Sequence, residues 1–280
     1  MGRLFQFMKT LTKEIIEDRA AGLAAQQAFF YLLSLFPMII LVLSILPYLE
    51  LDVDQIFELL SSALPAAFLQ LIQDNVIDVI TTPQGGLLTF GIIGTIWTAS
   101  NGVNAFIEAA NTAFNLEETR SFIVTRLLSI VLTIALIFAL VVTLILSVFG
   151  NLIIETLTNW LNIEQGTALL LNIFRWALLI IIISSVLSFL YYFATSMRFP
   201  LRHVIPGALV ATILWQLVSI GFSVYITNFN NFSATYGSLG GIIVLMLWLY
   251  LTGFIFIIGG EVNAILYRHS KLFRSERSFS

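Results

Sequence analysis

The stretch GTIWTASNGVNAFIEAAN, residues 94–111, decides how the chain is read. It lies in an apolar run long enough to cross a bilayer, yet it carries a line of polar groups where a lipid-facing helix should have none. At about 100° per residue, Gly94, Trp97, Asn101, Asn104, Glu108 and Asn111 fall within roughly a third of a helix circumference. Amides and a carboxylate at membrane depth are costly unless they face other helices or a water-filled space, so the stripe is expected to point inward.

The surroundings support that reading. The 280 residues are 59% hydrophobic and 10% charged, whereas a soluble domain is about a quarter charged. A span needs about 20 apolar residues to cross about 30 Å of hydrocarbon. Six such runs occur, at about 24–49, 87–110, 127–154, 167–197, 204–227 and 239–267. The fold expected is an all-α integral membrane protein, a six-transmembrane-helix bundle forming one membrane domain over 1–280. No short apolar core with a small-residue cleavage site opens the sequence, so the first span itself is expected to target the chain.

Residues 1–22 form the N-terminal arm, where Leu4, Met8, Leu11 and Ile15 recur at helical spacing with Lys9, Lys13, Glu17 and Arg19 largely off that face. This predicts an amphipathic helix, either on the inner membrane surface or packed on the inner loops. Residues 50–86 contain six acids and no Lys or Arg. Two amphipathic segments there, separated by Pro65, predict two short outer-face helices forming a cap. Pro37 within the first span and Pro206 with Gly207 at the start of the fifth are candidate hinges.

Lys and Arg number four in the arm, two after span two, two after span four and four in the tail, 268–280, against none in the three intervening loops. The positive-inside rule then puts both termini in the cytoplasm of a multi-pass cell-membrane protein. The remaining basic residue, Arg175, is intramembrane, where it either snorkels to the outer interface or meets an anionic substrate.

On this topology Glu108 and Glu261 each lie about 20 residues past the outer end of a span, about 30 Å at 1.5 Å per residue, near the inner mouth. Arg126, Arg198 and Arg202 enter at the same level and form a candidate cytoplasmic charge cluster. Asn111 and Asn263 are placed to satisfy nearby carboxylates or exposed backbone groups. The candidate cavity lining is therefore Trp97, Asn101, Asn104, Glu108, Asn111, Arg175, Glu261 and Asn263, with interhelical hydrogen bonding as the alternative role of the amides. Cysteine is absent, His203 and His269 are the only histidines, and no metal-ligand or nucleotide-loop spacing occurs. The thinly spread basic residues argue against nucleic-acid binding. No enzyme, metal or cofactor is expected. Small Gly and Ala faces permit a homo-oligomer.

Three blocks, AAQQAFFYLLSLFPMIILVLSIL in span one, GTIWTASNGVNAFIEAANTAFN in span two and YGSLGGIIVLMLWLYLTGFIFIIGGEVNA in span six, together resemble the YihY/BrkB family of bacterial inner-membrane proteins, once labelled ribonuclease BN. The resemblance covers nearly the whole chain. It implies a six-span protein with roles in envelope integrity, serum resistance and export of lipids or solutes, and the missing acid, base and metal residues agree that the ribonuclease label is an inherited misassignment. The family's recurrent Trp, Ser and Asn of span two fall on Trp97, Ser100 and Asn111, and the Gly, Glu and Asn ending span six on Gly260, Glu261 and Asn263. The function expected is an exporter or flippase-like transporter for a lipid or small solute, its cavity lined by spans two and six. The alternatives are a non-transporting scaffold for envelope integrity and, last, a ribonuclease or lipid-modifying enzyme. Its expected partners are membrane lipids and the substrate.

Overall fold

The computed structural model describes residues 2–49, 82–160, 165–228 and 239–277. Among them are seven α-helices: α1 (Gly2–Glu17), α2 (Ala20–Ile45), α3 (Gly85–Ala113), α4 (Phe122–Trp160), α5 (Gln165–Ala194), α6 (Ile205–Asn228) and α7 (Leu239–Arg277). Single turns of 3₁₀-helix occur at Leu46–Leu49 and Leu201–His203. The chain is an all-α, multi-pass membrane protein. Among the described residues, five stretches are long and apolar enough to cross a membrane: Ala20–Ile45, Phe122–Ala139, Trp176–Ala194, Ile205–Ile226 and Gly240–His269. Helix α3 has the length, at 29 residues, but its Thr, Ser and Asn residues keep it out of that apolar set. The expected outer cap lies mostly outside the described residues, as does the loop between α6 and α7.

The helix ends follow local chemistry. Asn115 adopts a left-handed φ of 54°; its N–H bonds the Thr112 carbonyl at 2.9 Å and that of Leu116 bonds the Asn111 carbonyl at 2.9 Å. This is a Schellman stop, with asparagine in the position usually held by glycine. Arg19, φ 50°, turns the chain between α1 and α2 in the same left-handed conformation, which costs a side-chain-bearing residue about 1 kcal/mol. The last helix continues past its apolar run to Arg277, so much of the basic tail is helical.

Contacts group the chain into two compact units, residues 1–29 with 100–280, and residues 30–99. In the first, α6 packs against α5 and α7, α4 against α5, and α1 against α7. Glycine permits the closest approach: a Cβ on Gly259 of α7 would lie 2.7 Å from the Gly207 carbonyl and 2.8 Å from the Ala211 Cβ of α6. Between helices embedded in lipid such contact is a main source of association, since apolar burial adds little there. The N-terminal arm docks through Leu11, which is buried with Val262 and Ile265 of α7 while Phe7 and Ile15 pack around them. Leu4 and Met8 of the expected apolar face are exposed, so only part of that face meets α7.

In the second unit, Pro37 lies inside α2. A Cβ on Gly94 would come within 2.9 Å of the Pro37 ring, and one on Gly91 within 2.7 Å of the Leu41 Cα. The two glycines thus let α2 and α3 touch backbone to backbone at the turn where proline removes a hydrogen bond. An apolar groove of about 670 Å³ runs along this pair, lined by Leu33, Phe36, Pro37, Phe90, Ile93 and Trp97 among others.

Candidate functional site

The polar stripe of α3 is divided between several environments. Trp97, 55% exposed, lines the apolar groove. Asn101 and Asn104 are half-buried against α4: the Asn101 carbonyl oxygen accepts from the Arg126 guanidinium, and Ser129 Oγ is 3.5 Å from the Asn104 carbonyl oxygen. Glu108 is exposed. Asn111 is buried, as are Ser100, Val103, Phe106, Ile107 and Ala110 on the neighbouring face. The heptad-like row 103, 106, 107, 110, with Phe106 5.4 Å from the Tyr191 ring, is what α3 turns toward the core of its unit.

Asn111 is a junction. Its Nδ2 donates to Glu118 Oε2 at 2.9 Å and its Oδ1 accepts from the Ser196 N–H at 2.7 Å. Glu118 also accepts from Arg120 Nε at 2.7 Å and Nη2 at 2.6 Å. The same guanidinium donates to the carbonyls of Phe193 at 2.9 Å and Ala194 at 2.6 Å, at the C-terminus of α5. These are carbonyls that the end of a helix leaves unpaired. The side-chain hydrogen bonds from Arg120, foremost, hold the Glu118 carboxyl below the ordinary carboxylate range, against a smaller opposing effect of burial and with help from the Arg120 backbone N–H, its charge and Asn111. One arginine, one glutamate and one asparagine thereby tie α3 to α5.

Asn263 makes a second junction. Its Oδ1 accepts from the Gly207 N–H at 2.7 Å, one of the donors that the start of α6 leaves free. Pro206 and Gly207, the candidate hinge, therefore sit where α6 meets α7, beside Tyr191, whose hydroxyl donates to the Phe256 carbonyl.

Glu261 stands apart from both junctions. It is 1% exposed, and no N–H or hydroxyl group donates to either carboxylate oxygen. Its nearest ionisable neighbours come from the arm: ligand oxygens of Glu14, Asp18 and Glu261 all lie within 4.8 Å of one another. The positive-φ turn at Arg19 follows directly after Asp18. Arg268, two turns beyond Glu261 on α7, donates to Glu14 Oε2 at 3.0 Å and stands 3.4 Å from the Ala113 carbonyl at the end of α3. Burial, foremost, and the charges of Glu14 and Glu17 push the Asp18 carboxyl above the ordinary range, while a hydrogen bond to Glu261 and the Arg268 charge act the other way. Two carboxyls can form that bond only by sharing a proton. When all three acids are ionised, one guanidinium faces three negative charges.

The expected cytoplasmic cluster is distributed otherwise. Arg126 meets Asn101, Arg198 and Arg202 are exposed, and Arg268 is the cation at the acids. Arg175 lies in α5, its side chain outside the described residues. Sequence reasoning missed Glu14, Asp18, Arg268, Glu118 and Arg120 as site or junction residues. It also missed Gln27, fully buried beside Gly253 with neither side-chain polar atom bonded; a glutamine inside AAQQAFF was the available signal.

The sequence profile of the family described as Virulence factor BrkB matches residues 11–278. The chain belongs to the BrkB family. It is thus a multi-pass inner-membrane protein, of a family of non-catalytic membrane proteins. The ribonuclease-like protein YfkH of Bacillus subtilis is 41% identical over 266 residues, 95% of this chain and 97% of that protein. A UPF0761 membrane protein of Photobacterium profundum is 29% identical over 264 residues, covering 93% and 80% of the two chains. No solved structure matches.

Proposed function

We propose that the protein is an exporter or flippase-like membrane transporter for a lipid or small solute, coupled to an ion through Glu261. The observation that carries this is the carboxylate itself, buried to 1% exposure with no N–H or hydroxyl donor at either oxygen and facing two more carboxylates. An ionisable group in that state destabilises the fold and is retained where something binds it in turn. The groove along α2 and α3, apolar over nearly all its lining, has the chemistry for an acyl chain. The lysine and arginine distribution supports six spans, with α3 as the second and both termini in the cytoplasm. Glu261 then lies toward the inner side, reachable through the arm.

The test is flux in liposomes reconstituted with the full chain, using a short-chain fluorescent phospholipid as probe. Wild-type protein should move it across the bilayer, and Glu261→Gln should lose at least tenfold in rate with an unchanged gel-filtration profile. Equal rates in the wild type, Glu261→Gln and protein-free liposomes would sink the lipid-transport reading.

A second reading, a non-transporting scaffold for envelope integrity, is favoured by the bonding of Asn101 to Arg126: an amide oxygen engaged between helices is not free for a ligand. The chain has no cysteine, so single cysteines at 101 and 104 discriminate. Labelling by water-soluble thiol reagents in intact membranes supports a wet path; complete protection in every condition supports the scaffold.

A further inference from the structure

Glu14 and Asp18 come from the arm and the turn after it, and Glu261 from the last helix. We propose that these three carboxylates form a site for a divalent cation of calcium size, which fastens the N-terminal arm to α7. The donors are all carboxylate oxygens, the set that selects hard cations. Three oxygens no more than 4.8 Å apart have a common point no more than about 2.8 Å from each, a span that a cation with the 2.3–2.6 Å ligand distances of calcium closes with small side-chain shifts, and the irregular carboxylate set suits calcium better than the near-octahedral geometry that magnesium demands.

An independent observation points to a ligand. Glu261, 1% exposed, aims into the cluster with no N–H or hydroxyl donor at either oxygen, and Asp18 Oδ2 is also buried without such a donor, so when both acids are ionised no hydrogen bond at these oxygens compensates them. Leaving such charges unpaired is far more costly than leaving a neutral group so. Arg268 is engaged with Glu14 and cancels one of the three charges, so a divalent cation balances the remainder. The apolar seat of the arm, Leu11 on Val262 and Ile265, holds the two arm carboxylates opposite Glu261 without the ion. The cation adds a second fastening at the same junction.

This site shares Glu261 with the transport reading and names the ion there, so it is tested without flux. The full chain in detergent, stripped with a chelator, is titrated calorimetrically with calcium chloride and, separately, magnesium chloride. Saturable calcium binding is expected, at least tenfold tighter than magnesium, with affinity falling at least tenfold in Glu261→Gln and in Asp18→Asn and unchanged in Glu117→Gln. No saturable heat at millimolar calcium, or full affinity in Glu261→Gln, overturns the site; equal affinity for magnesium overturns its assignment to calcium. Should Glu261→Gln misfold, protease cleavage of the arm in the wild type decides: calcium should slow it, and no effect overturns the proposal. Calcium binding without flux would remove the transport reading alone, and flux without binding would remove this one alone.

Discussion

Glu118 and Glu261 differ in how the fold treats the same side chain. Glu118 lies partly exposed between α3 and α4, and each of its oxygens is held: Oε1 by the backbone N–H and Nε of Arg120, Oε2 by Arg120 Nη2 and Asn111 Nδ2. Glu261 is buried, and neither of its oxygens has a donor. Water is available to the first and denied to the second, so a hydrogen-bond network would have been worth more at Glu261 than where it was built. A carboxylate that is bonded in the open fixes a corner of the structure. One that is buried and unbonded opposes folding, and its charge is available to a ligand.

The largest expected effect comes from removing the cation of the satisfied site. Arg120→Ala deletes its side-chain hydrogen bonds to Glu118 and to the last carbonyls of α5, and should lower stability by about 2–4 kcal/mol, read as a fall in thermal midpoint in detergent. If the midpoint is unchanged, the junction is not structural. Next in size is the contrast between the two glutamates. Glu118→Gln should cost about 1–2 kcal/mol, whereas Glu261→Gln, which removes an unpaired buried charge, should leave chelator-treated protein as stable as wild type or more so. Equal losses from both would erase the distinction between them.

A smaller effect separates them by pH. The folded-state value of Glu118 is held below its ordinary 4.5 by Arg120. Its contribution to stability is therefore complete above about pH 4.5 and lost as the pH falls through the lower, folded-state value. Glu118→Gln should flatten the acid limb of the stability profile in that window, and an unchanged limb would show that Arg120 acts only through the α5 carbonyls. The smallest effect is expected at the turn that brings Asp18 to Glu261. Arg19→Gly relieves a left-handed side-chain conformation and should stabilise by no more than about 1 kcal/mol, the unfolded-state entropy of glycine offsetting part of the gain.

The helices were legible because hydropathy is summed over many residues and survives local errors. The expected spans at about 204–227 and 239–267 correspond to α6 at Ile205–Asn228 and to the apolar part of α7, Leu239–Arg277. The left-handed turn at Asn115 that ends α3 was not singled out in the sequence, where the span was expected to stop at about residue 110. The pairing of polar groups was not legible. Helical periodicity put Asn101, Asn104, Glu108 and Asn111 on one stripe, but a stripe about a third of the circumference wide is broad enough to border several environments. Asn111 reached Glu118 and Ser196, Asn101 reached Arg126, and Glu108 stayed exposed. Glu14 looked like one charge among several on an amphipathic arm, and only the docking of Leu11 gives it a place opposite α7.

By itself the sequence determined the class of the protein, its long apolar helices, the family and the unusual presence of Glu261 in one of them. These depend on composition and on order along the chain. Only the tertiary structure decided that Glu261 is left unbonded while Glu118 is fully held, and that Glu14 and Asp18 join the former. Hydrogen bonds and charge pairs act over a few ångströms between residues as much as 254 positions apart, and packing alone sets those distances.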